Sequence, residues 1–178
     1  MPSTRSNVDR DVKVAQIVEV AAGQLERGGV SALSVAAIAR ELGIAHNAIR
    51  WYFRTRDDLL VAAVRRLLER VVARKPPRSR GPREQAVWFA DQLHRYASLR
   101  AAVHERAQSS DVVRAFVDEF HELLRGIVAI WLLGDRSARN IEVDTFLAVV
   151  EGATLLPDDT QRRAVVRCAF DALAPTEP

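Results

Sequence analysis

Cysteine is almost absent from this chain of 178 residues, which contains a single one, Cys168. One thiol can form neither an intrachain disulfide nor a thiolate zinc cluster, so the sequence favours a reducing compartment. Cys168 has apolar neighbours, Val166, Ala169 and Phe170. A small buried side chain is therefore the expected role of this cysteine, in preference to a redox role.

Long apolar runs are also missing. The longest, at residues 127–133, is far shorter than the roughly 20 residues that span a bilayer. The first 12 residues contain no apolar segment of the kind that a secretory signal needs. We therefore expect a cytoplasmic protein with no membrane partner.

The familiar catalytic signatures are absent as well. The sequence has no nucleophile elbow, no phosphate-binding glycine loop and no dinucleotide fingerprint. It shows no alternating strand pattern and no fixed-period repeat, which leaves helical periodicity as the organising signal. With 48% apolar and 28% charged residues, an ordinary globular domain is expected. The sequence thus predicts an all-α fold with no catalytic residue, no metal site and no cofactor.

Charge is distributed unevenly along the chain. Residues 1–83 contain 16 Arg or Lys against 8 Asp or Glu, whereas residues 84–178 contain 10 against 15. A basic half joined to an acidic half is typical of a protein that docks one end on DNA. Arg outnumbers Lys 24 to 2, so a compositional bias is an alternative source of the basic surface.

The stretch at residues 34–60 has the pattern of two short helices joined by a tight turn. Ser34 can cap the first helix, and Gly43 suits a turn in which the backbone becomes left-handed. The second helix is predicted to begin near Ala45. Apolar residues at helical spacing predict the inward faces, with Val35, Ile38, Ala39 and Leu42 on the first helix and Ile49 and Phe53 on the second.

The opposite face of the second helix carries side chains that can read DNA. In the major groove Asn pairs with adenine, Arg pairs with guanine, and a recognition helix presents its first turns to the bases. Thr55 and Asp58 form a capping box for a following helix, whose free amides can bind an anion. The predicted base contacts are His46, Asn47, Arg50 and Trp51, and the predicted phosphate contacts are Ser34, Tyr52, Thr55 and Arg56.

The run GGVSALSVAAIARELGIAHNAIRWYFRTRDDLL resembles the N-terminal DNA-binding domain of the tetracycline-repressor (TetR) family. That family has a first helix, a helix-turn-helix, and a fourth helix opening after an F-x-S/T-K/R-D/E-x-L run. The residues that match this run are Phe53, Thr55, Arg56, Asp57 and Leu59.

Three positions depart from the family pattern. Ala45 stands where a capping Ser or Thr is usual, Arg50 where a phosphate-binding Tyr is frequent, and Ala36 where an Arg is common. The resemblance implies a dimeric, ligand-responsive transcriptional regulator of double-stranded DNA.

Helical periodicity continues through the chain. Residues 9–27 are predicted as a brace for the helix-turn-helix, residues 56–74 as a fourth helix, and residues 75–83 (KPPRSRGPR) as a loop. Further helices are predicted at 83–97, 99–108, 110–133, 141–156 and 159–173, with start or stop signals at Gly28, Gly29, Pro82, Ser98, Ser110, Gly134, Asp158 and Gln161. The predicted domains are a helix-turn-helix domain at 1–55 and an effector-binding and dimerisation domain at 56–178.

The last two helices carry apolar stripes that predict a homodimer, because a symmetric pair is needed to read a palindromic operator. In proteins of the TetR family the final two helices usually form a four-helix interface. The alternative is that the stripes close the core of a monomer. The predicted interface consists of Phe146, Val150, Ala153, Val165, Val166, Ala169, Phe170 and Leu173.

The middle helices, 83–133, are rich in aromatic residues with a few polar groups between them, which is how small-molecule effectors are held. We expect an unidentified apolar effector here that releases the operator. The predicted pocket is lined by Trp88, Phe89, Gln92, Tyr96, His104, Phe120, His121, Leu124 and Trp131.

Two Asp-x-x-His pairs support a different class of function. Asp91 with His94, and Asp118 with His121, place a carboxylate and an imidazole on one helix face, and two such helices can hold a metal. A helical di-metal enzyme is therefore one alternative hypothesis. A constitutive DNA binder without a ligand is another.

Overall fold

A computed structural model describes residues 3–75, 80–134 and 141–174, and within these ranges it contains helices and no strand. The predicted all-α fold is confirmed. None of these helices is both long and apolar enough to cross a bilayer. A short 3-10 turn lies at Val30–Ala32, and the α-helices are α1 (Ser3–Gly28), α2 (Val35–Glu41), α3 (His46–Tyr52), α4 (Arg56–Ala73), α5 (Gly81–Arg95), α6 (Ala97–Ala107), α7 (Asp111–Leu133), α8 (Ile141–Ala153) and α9 (Asp159–Leu173).

Most predicted helix ends are confirmed by their hydrogen bonds. Gly43 and Gly134 adopt the left-handed conformation, with φ of 62° and 72°; Gly43 follows the C-cap of α2, and Gly134 directly follows α7. The Asp158 side chain accepts a hydrogen bond from the Gln161 amide at 2.6 Å, which caps α9. Pro82 lies in the first turn of α5. The predicted loop at 75–83 falls partly outside the described residues, at positions 76–79.

The prediction that Ser98 caps a helix is wrong. Ser98 lies inside α6, which begins at Ala97 after a break at Tyr96. The Tyr96 amide still donates to the Gln92 carbonyl at 3.1 Å, and the Arg100 amide donates to the Tyr96 carbonyl at 2.9 Å. Because the helical pattern of hydrogen bonds continues through the break, no side-chain cap is needed there.

The chain divides into two compact units by packing. The first comprises Met1–Ala73 with Ala101–Phe116, and the second comprises Arg74–Arg100 with Val117–Pro178, so α6 and α7 contribute residues to both. By packing, α4 thus belongs with the helix-turn-helix. The predicted boundary between residues 55 and 56 concerns which segment reads DNA, and it stays a prediction.

In the first unit, α1 packs along α4 and supports the helix-turn-helix. Ile17 and Ala21 of α1 and Leu59 and Ala63 of α4 are completely buried, so the first helix packs against the fourth along an apolar face. At the edge of this contact Arg70 donates to the carboxylate and the backbone carbonyl of Glu19, which ties α4 to α1 on its polar side.

The core of the second unit corrects the predicted dimer interface. Phe146 and Phe170 meet edge-to-face with ring centroids 5.8 Å apart, inside a cluster formed by α5, α7, α8 and α9. The predicted interface residues Phe146, Val150, Ala153, Val166 and Phe170 are all buried in this cluster, while Val165, Ala169 and Leu173 pack against it partly buried. The assignment of the five buried residues to an interface is wrong, because they are already covered within one chain.

The expected burial of Cys168 is also wrong. Its side chain is exposed on α9, whereas Val166, two residues earlier, is fully buried. On a helix, residues two apart lie on different faces, so apolar neighbours in sequence do not imply a buried thiol.

Candidate nucleic-acid interface

Helix α2 is anchored to α1 through its N-cap residue, Ser34. The Ser34 hydroxyl accepts a hydrogen bond from the Ala37 amide at 3.2 Å, which confirms the predicted cap. The Ser34 amide donates to the side chain of Gln24 at 2.9 Å, and Gln24 is buried on α1. Together with the fully buried Ile38, these contacts fix α2 against the rest of the first unit.

A tight turn joins α2 to α3. Gly43 supplies the left-handed backbone, and the Ile44 amide donates to the Ala39 carbonyl at 3.0 Å. Ala45 occupies the cap position of α3 without a side-chain hydrogen bond. This is the structural consequence of having alanine where a capping Ser or Thr is usual, and it leaves α3 to be held by its apolar face.

Helix α3 presents opposite faces to the core and to the surface. Ile49 is 1% exposed and Phe53 is 9% exposed, so both anchor the helix. Every residue predicted to contact bases lies on the exposed surface, and Trp51 is 86% exposed. The exposed residues are His46, Asn47, Arg50 and Trp51.

Three of the four residues predicted to contact phosphates, Ser34, Thr55 and Arg56, form side-chain hydrogen bonds within the first unit. The Thr55 amide and hydroxyl both lie 2.8 Å from the Asp58 carboxylate and donate to it, and the Asp58 amide donates back to Thr55, which confirms the capping box of α4. The Ser34 hydroxyl caps α2. Tyr52 is half-buried.

Arg56 has a structural role that the sequence did not indicate. Its guanidinium donates to the Val30 and Leu33 carbonyls, each at 3.1 Å. These bonds tie the start of α4 to the 3-10 turn that precedes α2. A local helical pattern carries no signal for a contact between residues more than 20 positions apart.

Two exposed arginines on either side of α3 and the turn before it were not among the predicted site residues. Arg40 lies in the last turn of α2, and Arg54 follows Phe53 directly. Both are exposed, and neither forms a hydrogen bond or an ion pair within the part of the chain that the structure describes. In the sequence, the feature that could have indicated them is a positive charge just before the turn that precedes α3, at Arg40, and another just after α3, at Arg54.

The first turn of α4 is fixed by an ion pair with α6. The Asp57 carboxylate accepts two hydrogen bonds from the Arg106 guanidinium, at 2.8 and 2.9 Å. The bonds from Arg106, with a further one from Ser110, lower the pKa of Asp57 below its usual range. All three residues belong to the first unit.

The predicted ligand residues are only partly brought together. Phe89 and Trp131 meet edge-to-face with ring centroids 5.8 Å apart, in the second unit. Leu124 is buried. Trp88, Gln92, Tyr96 and Phe120 are half-buried. His104 and His121 are exposed, so the prediction that they supply buried polar groups to a pocket is wrong.

Of the two Asp-x-x-His pairs, the first is engaged in other polar contacts and the second is exposed on the surface. The Asp91 carboxylate accepts from Arg162 at 3.3 Å and from Arg163 at 2.9 Å, and His94 Nδ1 lies 2.8 Å from the Thr154 carbonyl oxygen. Asp118 and His121 are exposed. Among the described residues no group of three or more metal-ligating side chains occurs, so no observation favours the di-metal enzyme.

Two short helices joined at a left-handed glycine, the second buried along one face and polar along the other, define a helix-turn-helix DNA-binding protein. Residues 17–63 match the family model described as bacterial regulatory proteins, tetR family. The stretch at residues 17–63 is therefore a TetR-family DNA-binding domain, and the resemblance seen in its sequence is confirmed.

Two named transcriptional regulators are similar to the chain, one over most of its length and one over less than half. It is 25% identical to the HTH-type transcriptional regulator PksA of Bacillus subtilis (strain 168) over 83% of this chain and 80% of PksA. It is 30% identical to the HTH-type transcriptional regulator BetI of Burkholderia cenocepacia (strain HI2424), over 40% of this chain and 41% of BetI.

Among solved structures, the fold is similar to that of a transcriptional regulator from Rhodococcus sp. Rha1, with a TM-score of 0.68 at 19% identity over 90% of this chain and 95% of the other. The multidrug binding protein EbrR, solved with proflavin, has a TM-score of 0.63 at 24% identity over 87% of this chain and 98% of EbrR. At these identities the likeness shows the fold.

Proposed function

We propose that the regulator is a homodimer that reads a palindromic operator with α3 in the major groove and is released by a small apolar molecule. It would act as a repressor in the cytoplasm. The observation that carries this proposal is the outward face of α3, where His46, Asn47, Arg50 and Trp51 are exposed while Ile49 and Phe53 hold the helix in place.

The contacts divide into those that read sequence and those that position the protein. Asn47 suits adenine and Arg50 suits guanine, because each can form two hydrogen bonds to the major-groove edge of its base. His46 can donate or accept at the same edge. Arg40 and Arg54 join the predicted phosphate contacts, since their exposed charges have no partner among the described residues.

We propose that the dimer surface lies on the outer faces of α8 and α9. With the apolar stripes of both helices buried inside one chain, a second copy would meet the opposite faces. Those faces carry exposed residues at helical spacing, mostly apolar or small, with Ile141 and Leu155 72% and 84% exposed. The proposed surface contains Ile141, Thr145, Ala148 and Gly152 on α8, Leu155 in the turn after α8, and Ala164, Cys168 and Ala172 on α9.

We propose that the effector binds among the half-buried aromatic residues of the second unit. Phe89 and Trp131 pack edge-to-face there, and Gln92 and Tyr96 offer polar groups that are partly accessible. Such a mixture suits a planar or amphipathic organic molecule. EbrR, which has the same fold, was solved with proflavin, and this supports an aromatic effector. If no compound binds, the protein is a constitutive DNA binder.

The test is an enrichment of DNA from a random-sequence library by the full chain, followed by titration of the enriched and random duplexes at fixed salt. We expect a palindromic consensus bound at least about 10³-fold more tightly than random DNA. An Asn47→Ala variant should lose this preference, whereas Arg95→Ala, at an exposed position of the second unit, should keep it. Failure to enrich any sequence would contradict the proposal.

A further inference from the structure

The exposure of Trp51 is not explained by the packing of the first unit. At 86% it is the most exposed of the large apolar side chains that the structure describes. With 3.6 residues per turn, two positions correspond to roughly 160° around the helix, so Trp51 lies nearly opposite both Ile49 and Phe53. The indole therefore projects from the middle of the surface that faces away from the core.

The position of the indole is well defined even though its side chain is exposed. Helix α3 has seven residues, and it is anchored on both turns by Ile49 and Phe53. Asn47 lies one turn before Trp51 on the same side, and Arg50 is adjacent. If α3 enters the major groove, the indole reaches the base edges beside two polar side chains that form hydrogen bonds.

The chemistry of tryptophan restricts what it can recognise in the groove. Its indole has one N–H donor and no acceptor, so it cannot form the paired hydrogen bonds by which Asn and Arg identify a base. Covering the polar groups of a base edge with an apolar ring leaves them without partners, which is unfavourable. One group on the major-groove edge is apolar, and it is the C5 methyl of thymine.

We propose that Trp51 reads a pyrimidine C5 methyl group, that of thymine, in each half-site of the operator. This inference rests on the proposed function, since it requires α3 to lie in the major groove. It assigns to Trp51 a specificity-determining contact that depends on one methyl group. The same methyl group is present in 5-methylcytosine, so the experiment uses that base to separate the effect of the methyl group from that of the rest of thymine.

The experiment replaces each thymine of the enriched operator, one position at a time, by deoxyuridine, which lacks the methyl group and keeps every hydrogen-bonding group. For the wild-type chain we expect one position per half-site at which affinity falls about fourfold, the value for one buried methyl group. In Trp51→Ala the same replacement should have no effect, while Val72→Ala, at an exposed apolar position of α4, should behave as the wild type.

A second arm replaces that T·A pair by C·G and then by 5-methylcytosine·G. Restoration of affinity by the added methyl in the wild type, and not in Trp51→Ala, supports methyl recognition. The inference is overturned if no thymine is sensitive to deoxyuridine, or if Trp51→Ala retains the same sensitivity. If the wild type prefers no sequence over random DNA, the proposed function fails, and that result is seen before any base is modified.

Discussion

At the scale of single residues, Arg162 shows how a charge is accommodated in a helical core. Its side chain is 3% exposed, yet the guanidinium donates to the Leu156 carbonyl at 3.1 Å and to the Asp91 carboxylate at 3.3 Å, and it also pairs with Asp159. These bonds connect α9 to α5 and to the chain segment after α8. A buried charge is tolerated only with such partners, and removing one member is costly.

We therefore expect Arg162→Met to destabilise the second unit by about 3 kcal/mol, because Asp91 and the Leu156 carbonyl lose a partner in a largely buried place. Urea unfolding followed by helical circular dichroism measures this change. The matched control is Arg163→Met, which also pairs with Asp91 but is 46% exposed and should cost less than about 1 kcal/mol. Equal losses for the two variants would show that burial of Arg162 is not what matters.

Arg50 and Arg54 are both exposed arginines, the first on α3 and the second two residues after it. We expect them to contribute to DNA binding in different ways. Arg50→Ala should weaken the cognate operator by about 1 to 3 kcal/mol and leave random DNA nearly unchanged. Arg54→Ala should weaken both duplexes alike and reduce the slope of log affinity against log salt by about one. Fluorescence anisotropy at several salt concentrations measures both effects, and a uniform loss for Arg50→Ala would contradict its assignment to a base.

At the scale of elements, the ion pair between α4 and α6 makes the first unit sensitive to acid. The bonds that Arg106 and Ser110 donate to Asp57 lower the pKa of this carboxyl in the folded chain. A lowered folded-state pKa means that the pair stabilises the fold fully above the ordinary aspartate range. That stabilisation is lost as the pH falls through the lowered pKa.

We expect Asp57→Asn to cost about 1 kcal/mol near neutral pH, a modest value because the Arg106 side chain is 48% exposed. Below about pH 4 the difference from the wild type should shrink, since the wild-type carboxyl also becomes neutral there. Denaturant titrations at a series of pH values measure this convergence. A difference that stays constant down to the acid limit would mean that Asp57 acts through its shape and not through its charge.

Helical periodicity predicted where the elements lie but not what covers them. The apolar stripes of α8 and α9, which contain Phe146 and Val166, are buried as their periodicity indicates. The same periodicity is expected whether a stripe packs against α5 and α7 of its own chain or against a second copy. The helix-turn-helix was easier to predict from the sequence, because a capping serine, a left-handed glycine and an apolar Ile49 at helical spacing are all local features. Arg56 and Arg106 act across 23 or more positions, which no local pattern encodes.

At the scale of the whole molecule, the asymmetry of charge has a structural counterpart. The basic residues 1–83 contain the whole helix-turn-helix and its exposed Arg40, Arg50 and Arg54, while the acidic residues 84–178 contain the proposed dimer surface. Long-range electrostatic attraction to DNA would thus act mainly on the part of each copy that contains the helix-turn-helix. Because two recognition helices must lie about 34 to 36 Å apart to engage successive half-sites, specific binding depends on how two copies are joined.

Substitutions on the two sides of α8 test directly whether specific DNA binding depends on how two copies are joined. Ala148 is exposed on the proposed dimer surface, whereas Phe146, two residues earlier, is completely buried in the chain's own core. We expect Ala148→Asp to dissociate the dimer without loss of helix, because a carboxylate would be buried between two copies, and to abolish cooperative operator binding. Phe146→Asp should instead unfold the second unit, since the charge enters a packed interior at a cost of several kcal/mol.

Light scattering and circular dichroism at micromolar concentration separate these outcomes. The expected pattern is a folded monomer for Ala148→Asp, a loss of helical signal for Phe146→Asp, and a folded dimer for the wild type. A control substitution, Arg95→Asp, places the same charge on an exposed part of α5 and should leave the dimer intact. If Ala148→Asp remains a dimer, the outer face of α8 is not the interface, and if the wild type is a monomer, the symmetric reading of a palindrome fails with it.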